Sequence, residues 1–320
     1  MIQRRPLLAA MLAAPAVARA QPAWPNRPVR VVVPFAAGGI IDVVARIVAE
    51  PLSRKIGQPI VIENTPGAGS TIGARAAARA QPDGHTLLLN GAAHSVIPAL
   101  FPDAGVDPVT DFAPVALLGE QPFIAAVHPS VPANDVPGLL AWLRSKRGDA
   151  TFATTGIGAA SHLAGELLKK LAGVDFTIVQ YRGTPAAVTD FVAGRVEFMI
   201  DSQTLLQPMM QDGRARGIAV TTARRSRLVP ELPTFQEAGV TGYESSSWQA
   251  LYAPAATPAA IVQQLSAATM EVLADPTIQQ RYIERGVEPR VGDSAALRNF
   301  LKAEMDKWLP ILRATNARAG

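Results

Sequence analysis

The sequence predicts an α/β fold in which helices flank mainly parallel sheets. The chain has 320 residues, which is long enough for two domains. The β-branched run Val29–Val33, bounded by prolines, is typical of a buried strand. Similar short apolar runs alternate along the chain with turns and with segments of helical spacing. This alternation predicts α/β layers.

The first strand is followed by a glycine turn and by a helix that begins near Ile41, which Pro51 is expected to kink or interrupt. Further strands are predicted at Ile60–Glu63, Thr86–Leu89, Phe123–Val127, Thr151–Thr154, Thr177–Gln180, Glu197–Ile200 and Gly217–Thr221. Further helices are predicted near Ile72–Ala80, Ser161–Leu171, Ala186–Ala193, Ile261–Leu273 and Ala295–Leu312.

Residues 1–20 have the pattern of a secretory signal peptide. Arg4 and Arg5 precede the short apolar run Leu7–Ala14, and Ala18-Arg19-Ala20 is a small-residue cleavage site. Cleavage after Ala20 would place the mature chain in the periplasm, beginning at Gln21. A buried N-terminal helix is the alternative, and the paired arginines also permit twin-arginine export.

Charge and cysteine content exclude several classes of function. The formal net charge of +4 includes the three arginines of residues 1–20, so the mature chain retains +1. Its basic residues are mixed with acidic ones, and no nucleic-acid partner is predicted. The chain has no cysteine, which excludes disulfides, thiolate metal sites and a lipid-modified N-terminal cysteine.

Phe35–Asp42 is the first candidate binding site. Phe35, Ala37, Gly38 and Gly39 join a strand to a helix, and glycine there lets the backbone approach a ligand closely. The exposed N–H groups of a helix start favour an anion. Asp42 is expected to cap this helix, because a carboxylate repels an anionic ligand.

Gly156–His162 repeats the same arrangement of strand, glycine turn and helix start. Gly158 lies in the turn, and Ser161 is placed to donate a hydrogen bond to a carboxylate. Two interpretations of His162 remain open, since its imidazole can donate to a ligand or to backbone groups in the interface.

Other candidates follow predicted strands. Arg182 offers a guanidinium fork to a second carboxylate, although a solvated surface role is equally compatible with the sequence. Asp201 ends an apolar strand, where open α/β sheets bind ligands, and it is expected to orient water or a loop amide. His94 and Ser95 sit at another strand end.

Enzyme signatures are weak. The glycines of Gly67–Gly73 follow a strand, but their spacing does not match a dinucleotide fingerprint. The sequence contains no Gly-x-Ser-x-Gly elbow, and its four histidines lack zinc-site spacing. No catalytic residue, metal site or cofactor is therefore predicted.

Ordered segments along almost the whole mature chain carry a family resemblance: Trp24–Pro28, Val33–Gly39 with Asp42 and Arg46, Glu63–Asn64 with Pro66–Gly69, Pro82–Gly84, Ser161–Glu166, Tyr181–Gly183, and Ala253–Pro254 with Thr257–Pro258. Together they resemble the Bug receptors, the TctC-like solute-binding proteins of tripartite tricarboxylate transporters. The resemblance implies a two-lobed periplasmic binding protein, type II-like, that captures a small organic carboxylate between its lobes.

The resemblance also implies how the chain divides. Residues 21–124 and 228–320 would form the first lobe and residues 125–227 the second. The crossings would fall near Phe123–Val127 and Trp248–Pro254. Inner-membrane permease subunits are the implied partners, and a monomer is expected. An exported α/β enzyme acting on a carboxylate ester or amide, or a sensory carboxylate receptor, remains the alternative.

The sequence departs from the family pattern at three positions. Ala159, Ala160 and Ile41 stand where the family usually has threonine or serine. Each lost hydrogen bond to a charged group weakens a polar ligand by roughly 1.5–3 kcal/mol. The cleft is therefore expected to favour a less polar acid than citrate, with one polar end and a flatter, more apolar body.

Overall fold

The computed structural model describes residues 24–156, 159–181 and 183–314. Its strands are β1 Val29–Val33, β2 Ile60–Asn64, β3 Thr86–Gly91, β4 Phe112–Val127, β5 Gly148–Thr154, β6 Phe176–Gln180, β7 Phe198–Ser202, β8 Arg216–Val220 and β9 Ser246–Pro254. Its helices are α1 Ile40–Ile56, α2 Thr71–Ala78, α3 Ala92–Leu100, α4 Val136–Lys146, α5 Ala160–Ala172, α6 Thr184–Val192, α7 Gln203–Gln211, α8 Ala259–Leu273, α9 Pro276–Ile283 and α10 Ser294–Ala314. None of these described helices is both long and apolar enough to span a membrane.

Strand β4 is shared by the two halves of one 9-stranded sheet. Its first part, Phe112–Pro122, pairs with β9, which continues the order through β3 and β1 to β2. Its last part, Phe123–Val127, pairs with β7 and β8, and β7 leads to β5 and β6. Pairing is parallel within β2-β1-β3 and within β7-β5-β6, whereas β4 and β9 run antiparallel to their neighbours.

Both faces of the first half of the sheet are buried. In β1, the side chains of Val31 and Val33 pack with α1 and α8, while Val32 packs on the opposite side with α2, α3 and α10. A strand covered on both faces needs no polar alternation, which explains the consecutive valines Val31–Val33.

The second half of the sheet is covered by α4 and α5 on one face and by α6 and α7 on the other. Phe235, Val240 and Tyr243, which precede β9, pack in the α4/α5 core. Helix α10 reaches both halves, because Leu297 and Leu301 pack under the first and Trp308 and Ile311 join the core of the second.

The predicted α/β fold with flanking helices is confirmed. Most of the helices and strands that the sequence patterns did not predict contain proline, which is unfavourable inside a regular helix or strand. Helices α3 and α7 contain Pro98 and Pro208, and α4 has a proline in its first turn. Strand β4 contains Pro114 and Pro122 and keeps its pairing through local shifts of register. The predicted signal peptide lies outside the described residues.

Helix α1 runs continuously through Pro51, contrary to expectation. Its last turn is held by the packing of Leu52 in the sheet core and by the C-terminal cap, in which the Gly57 N–H donates to the Ser53 carbonyl at 3.0 Å. These contacts outweigh the one backbone hydrogen bond that proline removes.

The carboxylate of Glu304 is buried between two tryptophans. The indole Nε1 atoms of Trp248 and Trp308 donate to its Oε2 at 2.9 and 3.0 Å, and Lys307 pairs with its Oε1. A buried charge is tolerated only when it is paired and hydrogen-bonded. Glu304 therefore ties β9 to α10, the helix that spans both halves of the sheet.

We expect Glu304→Ala to lower the free energy of unfolding by roughly 2–4 kcal/mol, because two indole donors and the Lys307 ammonium lose their acceptor. Glu304→Gln retains one acceptor oxygen and should cost less. Asp306→Ala removes an exposed carboxylate from the same helix and should stay within about 0.5 kcal/mol of the wild type. Urea unfolding measures all three, and equal losses for Glu304→Ala and Asp306→Ala would contradict the role assigned to Glu304.

Candidate functional site

Three helix starts meet at a small cavity between the two halves of the molecule. The cavity measures about 210 Å³. The start of α1 contributes Gly39–Ile41, the start of α3 contributes Ala92 and Ala93, and the start of α5 contributes Ala159 and Ala160. Phe35, Gly91 and Ser247 complete the described lining. Helix α5 belongs to one half of the sheet and α1 and α3 to the other, so a ligand here would contact both.

The helix starts make this cavity suited to an anion. Backbone N–H groups in the first turn of a helix have no acceptor within the helix. Each helix dipole adds the equivalent of about half a positive elementary charge at this end. In α1 the first intrahelical hydrogen bond runs from the Val43 N–H to the Gly39 carbonyl, and in α5 it runs from the Leu163 N–H to the Ala159 carbonyl. The N–H groups that precede Val43 and Leu163 in the first turns therefore have no acceptor within their helices.

The loop Phe35–Gly39 is held by Asp42 and Asn64. The Asp42 carboxylate accepts hydrogen bonds from the Gly38 N–H, from Arg46 Nε and from Asn64 Nδ2, each at 2.9 Å. The Asn64 amide also donates to the Phe35 carbonyl at 3.1 Å. Asp42 therefore orders the loop from behind and is absent from the described lining of the cavity, in agreement with a structural role.

The ionisation of Asp42 reflects this network. Burial acts to raise its pKa, but the hydrogen bonds from Arg46, Gly38 and Asn64 together outweigh burial and lower the pKa below its usual range. The negative charge of Asp42 is thus compensated by Arg46, Asn64 and the Gly38 N–H on the side of the loop away from the described cavity lining.

The start of α5 is organised in a similar way. The Ser161 hydroxyl lies 3.3 Å from the Thr155 N–H and 3.2 Å from the Thr155 hydroxyl, so it closes the turn before the helix. His162 is buried, with Nε2 3.7 Å from a carboxylate oxygen of Glu166. Burial and the nearby charge of Lys169 lower the pKa of His162, which favours a neutral ring.

Three other predicted residues are absent from the described lining of the cavity. The His94 ring packs 4.5 Å from the ring of Tyr252 and 5.0 Å from that of Phe112, and burial lowers its pKa to about 4. Ser95 is buried and donates to the Ala92 carbonyl at 2.7 Å. Asp201 accepts from the Ser202 N–H at 2.6 Å, and burial raises its pKa.

The structure thus brings Phe35 and Gly39 together with residues that the sequence analysis did not select as binding residues. Gly38, Asp42 and Ser161 hold the same turns by hydrogen bonds, whereas Ala37 and His162 are absent from the described lining. Gly158 and Arg182 lie outside the described residues. Ile40, Ile41, Ala159 and Ala160 lie within the two predicted sites, whereas Gly91–Ala93 and Ser247 were not predicted. These residues carry small or weakly polar side chains, which give little sequence signal for binding. The sequence Gly91-Ala92-Ala93 after a predicted strand nevertheless indicates a close approach of the backbone.

Gly91 shows how tightly the cavity floor is packed. A Cβ atom at this position would lie 2.5 Å from the Trp248 carbonyl oxygen and 2.8 Å from Ile41 Cδ1.

A larger concavity of about 960 Å³ lies along α1 and β2, but it is an open outer surface away from the helix starts. Within the described residues, His, Asp and Glu side chains form no cluster that could hold a metal ion.

Comparison with known proteins defines the class as a solute-binding protein. BugD, a periplasmic binding protein, is 35% identical, with a TM-score of 0.74 over 92% of this chain and 100% of that chain. Rpa4515 of R. palustris, solved with adipate, is 33% identical, with a TM-score of 0.77 over 92% and 100%. MatC from Rhodopseudomonas palustris, with bound malate, is 34% identical, with a TM-score of 0.73 over 90% and 100%.

The family model "Tripartite tricarboxylate transporter family receptor" matches residues 44–317. The chain belongs to this family of transport receptors. The predictions of a two-lobed periplasmic binding protein fold and of a receptor rather than an enzyme are therefore confirmed.

We expect Asp42→Asn to destabilise the protein by about 1–3 kcal/mol near pH 7, because the charged acceptor of three hydrogen bonds is lost. The pKa of Asp42 is lowered in the folded state, so its stabilisation is present above the unfolded-state pKa of about 3.9 and is lost as the pH falls through the lower folded-state pKa. Thermal melts from pH 7 to pH 2 should show the variant converging on the wild type below pH ~4. Asp103→Asn, at an exposed position, is the control, and a gap that persists to pH 2 would contradict this origin.

Proposed function

We propose that this receptor captures one small organic carboxylate in the cavity between its two halves. The observation that carries the proposal is the convergence of α1, α3 and α5, whose first turns all line a cavity of about 210 Å³. Backbone N–H groups from both halves would bind the carboxylate oxygens. The relatives solved with adipate and with malate support this ligand class.

The side chains around the cavity favour a ligand with an apolar body. Among the described lining residues, Ser247 alone carries a polar side chain, and Phe35, Ile40 and Ile41 supply apolar surface. A carboxylate at the helix starts satisfies the backbone donors, and the rest of the ligand would contact alanine and isoleucine. Additional hydroxyl groups on the ligand would find few partners and lose hydration.

We propose that binding draws the two lobes together and that the bound form delivers its ligand to inner-membrane permease subunits. The division into lobes predicted near residues 124 and 227 is part of this proposal, and the packing of Phe235, Val240 and Tyr243 supports placing the second crossing closer to Ser245. Residues 1–20 would direct export to the periplasm and would be removed by cleavage after Ala20. Hinge closure around a ligand is the motion that such an architecture allows.

The proposed binding site is tested with a variant whose larger side chain fills the cavity. Adipate, malate and benzoate are first screened by thermal shift on the mature chain, since a ligand at about 100 times its Kd adds about 2.7 kcal/mol of stability. Calorimetry then compares the wild type with Ala159→Trp, which should weaken the best ligand at least 100-fold by occupying the space at the start of α5. Ala267→Trp, at an exposed position of α8, should bind as the wild type does. Undiminished binding by Ala159→Trp would place the ligand elsewhere.

The absence of side-chain hydroxyl groups at Ala159 and Ala160 leads to a prediction about ligand specificity. Ala159→Thr combined with Ala160→Ser restores two hydroxyl groups beside the helix start and should shift the ratio of affinities for malate over benzoate at least tenfold towards malate, since a hydrogen bond to a charged group contributes roughly 1.5–3 kcal/mol. Ala267→Ser should leave the ratio unchanged. If the wild type already prefers malate and the double variant alters nothing, these hydroxyls do not set specificity.

A further inference from the structure

A second cavity lies behind the first, between helix α10 and the start of β4. It measures about 440 Å³, within the range of cavities that hold small organic ligands. Its described lining is largely apolar and comprises Pro108, Val109, Phe112, Pro114, Tyr252, Leu301, Met305 and Leu309, with Arg298, Asn299, Lys302 and Asp306. It shares no lining residue with the cleft cavity.

Tyr252, one of the residues that line this cavity, has a buried hydroxyl without a described protein partner. Tyr252 is fully buried, and its hydroxyl oxygen forms no hydrogen bond within the described part of the chain. Buried polar atoms in folded proteins nearly always have a partner, so this hydroxyl is an exception among the described residues. The ring of Tyr252 is held by His94 and by Phe112, whose centroids lie 4.5 and 6.1 Å away.

The rim of the cavity carries positive charge. Lys302 is paired with Asp306 at 2.5 Å on the exposed face of α10. Arg298 lies one turn earlier and forms no ion pair or hydrogen bond within the described residues. A guanidinium group presents a donor fork that matches a carboxylate. Val109, across from α10, is 55% exposed although it is apolar, so the opening offers hydrophobic surface beside the charge.

We propose that this cavity is a second ligand site, for an amphipathic monocarboxylic acid with an aromatic or branched apolar body. The body lies between Phe112, Met305 and Leu309, and the carboxylate meets Arg298 at the rim. The site is separate from the cleft and does not depend on the ligand proposed there. Its chemistry also differs, because the anion is bound by a side chain at the surface and most of the contact is apolar.

The experiment uses three probes of similar shape: 4-phenylbutyrate, the neutral 4-phenylbutan-1-ol and the cationic 4-phenylbutylamine. Calorimetry on the mature chain should show binding in the order anion, alcohol, amine. Met305→Trp fills the cavity and should weaken 4-phenylbutyrate at least tenfold. Arg298→Ala should weaken it about threefold, and this loss should shrink in high salt, as expected for an exposed charge pair. Ala303→Trp, at an exposed position of the same helix, is the control.

The cleft variant separates the two sites. Ala159→Trp should retain a 4-phenylbutyrate site that Met305→Trp weakens, even if the cleft also accepts this acid, while Met305→Trp should retain the affinity of the cleft for its own ligand. Thermal melts check that Met305→Trp is folded, and Arg298→Ala supplies a second test that leaves the core intact. Absence of 4-phenylbutyrate binding to the wild type, or its loss in Ala159→Trp but not in Met305→Trp, would overturn the proposal.

Discussion

The pairing of strand β4 with both halves of the sheet is the constraint on which the rest of the molecule depends. Its first part is joined to β9 over Phe112–Pro122, and its last part to β7 and β8 over Phe123–Val127. Strand β4 thus crosses the boundary between the two halves of the sheet, and the starts of α1 and α3 face the start of α5 across that boundary. The cavity exists because one continuous backbone places three helix starts around it.

A cleft that binds anions through backbone groups must hold its loops without placing a charge in the cavity. Asp42 meets this requirement because its carboxylate lies behind the loop, where Gly38, Arg46 and Asn64 satisfy it. Ser161 holds the turn before α5 by contacts with Thr155. The polar side chains organise the backbone, and glycine and alanine at Gly39, Gly91–Ala93, Ala159 and Ala160 leave the backbone of the helix starts open to the cavity.

The two cavities are separated by helix α3. Ala92 and Ala93 line the cleft, and the next residue, His94, turns its ring towards Tyr252 and Phe112, which line the second cavity. Burial keeps His94 neutral near pH 7, since its pKa falls to about 4. The helix thus presents small residues to one cavity and supports the aromatic wall of the other.

The sequence by itself determined the α/β class, most strands and helices, the glycine turn at Phe35–Gly39 and the family, because these depend on local periodicity and short motifs. It also predicted a structural role for Asp42, although the carboxylate accepts hydrogen bonds from Gly38, Arg46 and Asn64 and does not cap α1 as expected. Only the tertiary structure decided that the His94 ring packs against Tyr252 and Phe112 and that Gly91–Ala93 and Ser247 line the cavity. The direction of a side chain depends on how helices pack across the sheet, and cavities form between segments that are distant in sequence, so neither is encoded in a local pattern.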